Sequence, residues 1–389
     1  MSAFNRSELV NSAKYLVVKV GTNVLTRQDG SLNAERIRNL VEGLCDAHDR
    51  GVNVTLVSSG AVGAGMGRLG MTKRPKFLPE LQAAAAIGQG ALIRQYEEEF
   101  DKRGVVIAQA LLTATDLSER RRYINVRNTF YSLFHFGAVP IVNENDAVSA
   151  AEIALTFGDN DRLAALVANL FPQSLLILLT DVDGLYDGDP ALPESKLVPV
   201  VEEWTPDLME MVAEKKSSRS KGGMSSKLKA ARIVTNSGGS MIIANGERPD
   251  VLRDIFQGDD RCTFFMPQRQ LQARLRWFKH LSSPQGFVVV DSGAAEAILN
   301  NKSLLPIGVI ASVGSFKKGD VVSIVDVNHR EIARGLSNYS SKDAEKIARK
   351  RSGELAKALD NQRAPYEELI HCDNIFLVDE YQDVGKSKG

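Results

Sequence analysis

The constraint that most narrows what this chain can fold into is the character of its apolar runs. Residues 15–20, 53–57, 105–109, 138–142, 175–180 and 240–244 are short and apolar almost throughout, without the polar–apolar alternation of a half-exposed strand. Runs of that kind suit strands buried on both faces, as in a parallel sheet covered by helices on each side. Helical segments fall between them. Residues 33–50 place Ile37, Leu40, Val41 and Leu44 at helical spacing, 79–100 is rich in alanine and glutamate, and 162–170 and 225–235 complete the set. Strand–helix alternation of this type predicts an α/β sandwich with a mostly parallel central sheet, whose ligands bind at the carboxyl ends of the strands.

With 389 residues, two domains are the better expectation. The pattern changes after about residue 268. Strand-like pieces at 287–291, 309–311, 321–325 and 331–335, with helices at 294–299 and 342–351, predict a small, mostly β module. The boundaries drawn from this are 12–268 and 285–363. The stretch 214–220 reads as a mobile loop, and the tail from 384 as disordered.

Bulk properties exclude several classes. The 48 basic residues balance 48 acidic ones, so nothing draws the whole chain toward nucleic acid or anionic lipid. No apolar run approaches the roughly 18 residues that a membrane span needs, and the N-terminus has no signal-peptide core. The three cysteines lie far apart from one another without paired spacing and the five histidines form no metal pattern, which fits reduced thiols in the cytoplasm and no protein-built metal site.

The chemistry concentrates where glycines follow strands. Lys19 closes the first run and precedes Gly21-Thr22. Ser58-Ser59-Gly60 ends the second. Lys227 stands four residues after Gly223, in Lys221-Gly222-Gly223-Met224-Ser225-Ser226-Lys227. Glycine allows close backbone approach to a bulky anion, lysine adds a mobile positive charge, and a helix start offers amides, so these read as phosphate-binding elements. The chain has no P-loop: Gly385-Lys386-Ser387 resembles the end of one, but Glu380 occupies the position of its first glycine. Gly65-Met66-Gly67-Arg68-Leu69-Gly70 formally matches a dinucleotide fingerprint, yet it begins eight residues past the strand rather than at its turn. Between residues 143 and 161, five acids and three amides crowd into Asn143-Glu144-Asn145-Asp146 and Gly158-Asp159-Asn160-Asp161 and the segment joining them, which predicts a polar pocket for an amine and a carboxylate. Thr180-Asp181, after the most apolar strand, suits hydrogen bonds to a nucleotide.

Taken together and in this order, these motifs resemble the amino acid kinase family over about residues 15–268, and the segment 285–363 resembles a PUA module. The resemblance implies an amino acid kinase-like αβα sandwich and ATP-dependent phosphorylation of the γ-carboxylate of L-glutamate, the first step of proline biosynthesis. It implies Lys19, Lys227 and Asp161 as catalytic residues, with Asp161 orienting the lysines. Ser59, Asn143, Asp146 and Asn160 would bind glutamate. Lys19, Thr180, Asp181, Lys221, Gly222, Gly223, Met224, Ser225, Ser226 and Lys227 would bind ATP, and magnesium would accompany it. It further implies feedback inhibition by proline, a homo-oligomer (dimer or tetramer), and transient partnership with glutamate-5-semialdehyde dehydrogenase. Two positions depart from the family pattern: Asn23 stands in place of a serine, and Lys221 in place of a threonine or serine. RNA is not expected as a partner, because residues 268–389 carry 18 basic and 15 acidic side chains, a surplus of only three.

Overall fold

The computed structural model describes residues 6–27, 31–148, 159–190, 192–206, 208, 223–268, 284–300, 302–359 and 366–378. Gly158, Lys221, Gly222, the loop at 214–220 and the tail from 384 lie outside them. The chain divides into two compact units, Met1–His280 and Leu281–Gly389.

In the first unit, eight strands form one sheet. They are β1 (Tyr15–Val20), β2 (Asn53–Val57), β3 (Ile107–Leu112), β4 (Val139–Glu144), β5 (Leu175–Thr180), β6 (Val200–Val201), β7 (Ser240–Asn245) and β8 (Cys262–Phe265), in the spatial order β3-β4-β2-β1-β5-β7-β8-β6. Every pairing from β3 to β7 is parallel. β8 runs antiparallel to β7, and β6 parallels β8. All six positions of β4 and of β5 are buried, as the unalternating apolar runs require of a sheet covered on both faces.

The pleat of β1 sorts its side chains. Leu16, Val18 and Val20 join the core packed under helices Ala34–Asp49 and Val251–Gln257. Tyr15, Val17 and Lys19 face the other way. There Tyr15 stacks on Phe171 with ring centroids 5.0 Å apart, and Lys19 meets the helix Asp159–Ala168. Helix Ala34–Asp49 starts where Asn33 accepts a hydrogen bond from the Arg36 amide at 3.3 Å, an ordinary N-cap.

Several elements differ from the sequence expectation. β3 and β4 run further toward their carboxyl ends than their apolar residues suggested, because the parallel ladder continues through Leu111–Asn143 and Leu112–Glu144. Pairing carries two polar residues into a strand. β6 and β8 went unread because they have only two and four residues. Helices Ala61–Arg68, Ala114–Ser118, Arg120–His135 and Val251–Gln257 also emerge only in the structure.

The formal G-x-G-x-x-G falls within helix Ala61–Arg68 and the turn after it. A Cβ on Gly65 would lie 1.8 Å from the Ala84 carbonyl oxygen, and one on Gly88 1.8 Å from that of Ala61. Gly65 and Gly88 therefore let helix Ala61–Arg68 press backbone to backbone on helix Leu78–Asp101, which is a packing role rather than dinucleotide binding.

The second unit is a five-stranded sheet of β9 (Gly286–Val290), β10 (Val309–Gly314), β11 (Val321–Val325), β12 (Glu331–Leu336) and β13 (Ile375–Leu377), ordered β10-β9-β11-β12-β13. Only the β9–β11 pairing is parallel. It has its own core around Val288, Val290, Val322, Ile324 and Ile332. The basic helix expected over 342–351 spans Ser341–Ile347, and Arg349 beyond it adopts a left-handed φ of 61°. Arg349, Lys350 and Arg351 are exposed.

Candidate active site

Four parallel strands deliver the polar residues to one edge of the sheet, at their carboxyl ends. Lys19 is the penultimate residue of β1, Ser58-Ser59 follow β2, Asn143 lies near the end of β4, and Thr180-Asp181 end β5. The register places Lys19 beside Val57 of β2 and Leu178 of β5, so these ends are level. Above them, helices Asp159–Ala168 and Met224–Asn236 begin.

At the centre is Asp161, 1% exposed, in the first turn of its helix. Its Oδ1 lies 2.6 Å from Lys19 Nζ and its Oδ2 3.3 Å from Lys227 Nζ. One carboxylate thus gathers two ammonium groups that are distant in the chain. Burial pushes the Asp161 carboxyl up, but the Lys19 and Lys227 charges outweigh it, and the group is held below the usual carboxylate range. Both lysine side chains are themselves largely buried. Two cations around one anion leave a local surplus of positive charge in a desolvated setting, which suits the capture of a further anion.

A second cluster lies beside it. Asn160 Nδ2 donates to the Ser59 hydroxyl at 2.7 Å and to the Ser58 carbonyl at 3.1 Å. The turn that presents these serines depends on Gly60, whose φ of 97° is left-handed and favours glycine. Ser58 shares a 2.9 Å hydrogen bond with the Tyr96 hydroxyl inside the core. On β4, Asn143 Nδ2 donates to Gln89 Oε1 at 3.3 Å, and its Oδ1 accepts the Glu144 amide at 2.9 Å. Asp146 is half-buried just past the strand. It is within electrostatic reach of Arg74, whose guanidinium pKa is pushed down by burial and supported by the Asp146 charge.

The third cluster follows β5. Thr180 Oγ1 donates to Asp181 at 3.0 Å, and Asn23 Nδ2 donates to the same carboxylate at 3.3 Å. Partial burial raises the Asp181 pKa, while these hydrogen bonds and the Lys227 charge bring it below the ordinary value. Gly223 caps the helix whose first turn is Met224, Ser225, Ser226 and Lys227. The Ser226 amide donates back to the Gly223 carbonyl at 3.0 Å, and the positive end of the helix dipole lies at this turn.

Of the residues singled out from the sequence, Lys19, Asp161 and Lys227 meet directly, as do Ser59 with Asn160 and Thr180 with Asp181. Gln89, Tyr96 and Arg74 were not singled out. Gln89 and Tyr96 sit on a long helix whose composition signals only helix formation, and their partners come from other elements.

The geometry agrees with what the chain is similar to. The profile of the amino acid kinase family matches residues 14–245 and that of the PUA domain residues 286–359. A glutamate 5-kinase from Thermoanaerobacter sp. (strain X514) is 45% identical over 373 residues, covering 95% of this chain and 99% of its own. Glutamate 5-kinases from Rhodopirellula baltica and Methylococcus capsulatus are 45% and 44% identical, each over 96% of this chain and over 96% and 99% of their own. A solved UMP kinase from Bacillus anthracis aligns over 66% of the chain at 16% identity with a TM-score of 0.45, too distant a likeness to carry an argument. The match spans most of the chain and includes the strand ends that assemble the three clusters: the chain belongs to the amino acid kinase family and carries a PUA domain after the kinase domain in sequence.

Proposed function

We infer that this chain is an ATP-dependent kinase that phosphorylates the γ-carboxylate of L-glutamate, giving L-glutamyl 5-phosphate at the first step of proline biosynthesis. The observation that carries the reading is the pairing of Lys19 and Lys227 on Asp161, at the strand edge where the glutamate 5-kinase relatives align.

In the transfer, a γ-carboxylate oxygen of glutamate attacks the terminal phosphorus of ATP. The bond to the β,γ-bridging oxygen breaks and ADP leaves with its electrons. The acceptor is already ionised near neutral pH, so no proton must be removed. Asp161 is unsuited to be a base, since two ammonium groups hold it ionised. The difficulty is electrostatic: two anions must approach, and negative charge spreads over the migrating group. Lys19 and Lys227 offset that charge, and Asp161 keeps them converged before substrate arrives, so little reorganisation is needed during reaction. Ser59, Asn143, Asp146 and Asn160 form the glutamate side, with Asp146 matching the substrate ammonium. Thr180, Asp181 and the amides from Gly223 to Lys227 form the nucleotide side.

Among the described residues, no group of three His, Cys, Asp or Glu side chains gathers to hold a metal ion. Magnesium binds mainly through nucleotide phosphates and one or two protein oxygens, and Asp181 at the edge of the site offers such an oxygen. When bound with ATP, magnesium would supply further charge neutralisation on the phosphates.

Proline, which shares the α-amino acid portion of glutamate, is inferred to inhibit at or near the glutamate cluster. The product is a labile acyl phosphate, so handover to glutamate-5-semialdehyde dehydrogenase, a dimeric or tetrameric assembly and a cytoplasmic setting belong to the same reading. No helix among the described residues is long and apolar enough to cross a membrane.

The test is hydroxamate formation. With ATP, magnesium and hydroxylamine, glutamate is expected to yield a hydroxamate, while aspartate and N-acetylglutamate yield little. Equal or better trapping with either alternative acceptor would reassign the substrate.

A further inference from the structure

We propose that Gln89 is a positioning residue for the acceptor substrate: together with the Glu144 backbone N–H it holds the Asn143 amide with its NH2 group toward the pocket. The inference rests on the glutamate reading above.

The hydrogen bonds around Gln89 admit one arrangement. Gln89 Nε2 donates to the Glu144 backbone carbonyl at 3.3 Å, and Gln89 Oε1 accepts from Asn143 Nδ2 at 3.3 Å. Asn143 Oδ1 in turn accepts the Glu144 backbone N–H at 2.9 Å. Amide side chains can rotate to exchange oxygen and nitrogen, and partners decide which way they point. Here both ends of the relay are main-chain groups of Glu144, which cannot exchange roles. A carbonyl can only accept, so Gln89 must offer it the NH2 group and turn its oxygen to Asn143. Asn143 must then present its NH2 to Gln89 and its oxygen to the Glu144 amide. Among the described residues the Asn143 NH2 donates to Gln89, and the proposal gives its second hydrogen to an anionic oxygen of the acceptor.

Gln89 is itself held in place by the packing of its helix. Its neighbour Gly88 contacts the Ala61 backbone too closely for any side chain, and Tyr96, two turns further on, bonds Ser58. The same helix therefore braces the turn after β2 and the end of β4, the two strand ends assigned to the acceptor.

The test compares Gln89→Met and Gln89→Glu with the wild type in the hydroxamate assay, with thermal unfolding as a check on folding. Gln89→Met removes donor and acceptor while preserving shape, and is expected to raise KM for glutamate by roughly five- to tenfold, the worth of about one hydrogen bond. KM for ATP should stay within about twofold of wild type on the same scale. Gln89→Glu keeps an acceptor for Asn143 but sets a carboxylate against the Glu144 carbonyl and brings negative charge near the anionic acceptor, so it should raise KM for glutamate at least as much as Gln89→Met. In an Asn143→Ala background, Gln89→Met should have no further effect on KM for glutamate. A purely structural role would move stability and both KM values together, or neither, and that result overturns the proposal. If Gln89→Met does not fold, the position of Gln89→Glu on the KM scale decides alone: an unchanged or unselective value overturns it. A wild type that forms no glutamyl hydroxamate removes the function reading with it, whereas an active wild type with unselective variants removes only the role of Gln89.

Discussion

Replacing Asp161 by asparagine keeps the shape of the side chain and removes the one negative charge between Lys19 Nζ, at 2.6 Å, and Lys227 Nζ, at 3.3 Å. Removing one member of a buried charge cluster typically costs about 3–5 kcal/mol, because the remaining charges lose their compensation. Here two ammonium groups would be left facing each other, so Asp161→Asn is expected to lose stability in that range in urea unfolding at neutral pH. The loss should depend on pH. The folded-state pKa of Asp161 lies below its ordinary value. Its contribution is therefore fully present above the unfolded value of about 3.9 and is lost as pH falls through the folded value. The stability difference between wild type and variant should shrink only in acid, below about pH 4. ATP binding should restore stability to the variant more than to the wild type, since the nucleotide phosphates replace the missing anion. In the hydroxamate assay, kcat should fall about 100- to 1000-fold, as for loss of a preorganised electrostatic group. A variant as stable as wild type, with turnover within tenfold of it, would refute the view that Asp161 organises the lysines.

Other outcomes follow from the same structure. Asn23→Ser removes an exposed 3.3 Å hydrogen bond to Asp181, so KM for ATP should change by no more than about fivefold; a larger change would make Asn23 a principal nucleotide determinant. Gly88→Ala would drive a Cβ to 1.8 Å from the Ala61 carbonyl oxygen and should cost at least about 1–3 kcal/mol. Gly90→Ala, in the same helix with open space around it, should be neutral or stabilising by up to about 1 kcal/mol; denaturant melts of the pair reversed in order would contradict the close helix contact. Burial pushes the Cys45 thiol up to about 11, with the Asp49, Asp46 and Glu42 charges adding to it against Arg103. Cys45 should therefore resist a thiol reagent at pH 8 until the chain unfolds, and rapid labelling of the native protein would be inconsistent with its buried position.

The parts of the fold that were legible in the sequence are those whose physics is local. β1, β2, β5 and β7 announce themselves because both faces are buried and most of their residues are apolar. Helix Ala34–Asp49 shows through Ile37, Leu40, Val41 and Leu44 at helical spacing, and its Asn33 cap emerges with the structure. β8 was not legible: four residues with a threonine acquire strand character from antiparallel pairing with β7. Helix Arg120–His135 was legible in principle, since Tyr123, Val126, Phe130 and Phe134 recur at helical spacing, and it went unread. At the site, Lys19, Asp161 and Lys227 stood out through the chemistry of their surroundings, and the fold supplies their convergence. Gln89 and Tyr96 had no such signal, because each acts through a partner that only tertiary packing brings near. The glycines at 65 and 88 resembled a ligand motif in one case and nothing in the other, yet they are the two sides of one helix contact.

The account stands on two lysines acting on a single migrating phosphoryl group, and steady-state kinetics of Lys19→Ala, Lys227→Ala and the double variant test it most directly. Each single variant should lower kcat about 100- to 1000-fold with KM values changed far less. The double variant should fall short of the product of the two losses, since the groups work as a unit. Near-normal kcat in either single variant, or losses confined to KM, would contradict it.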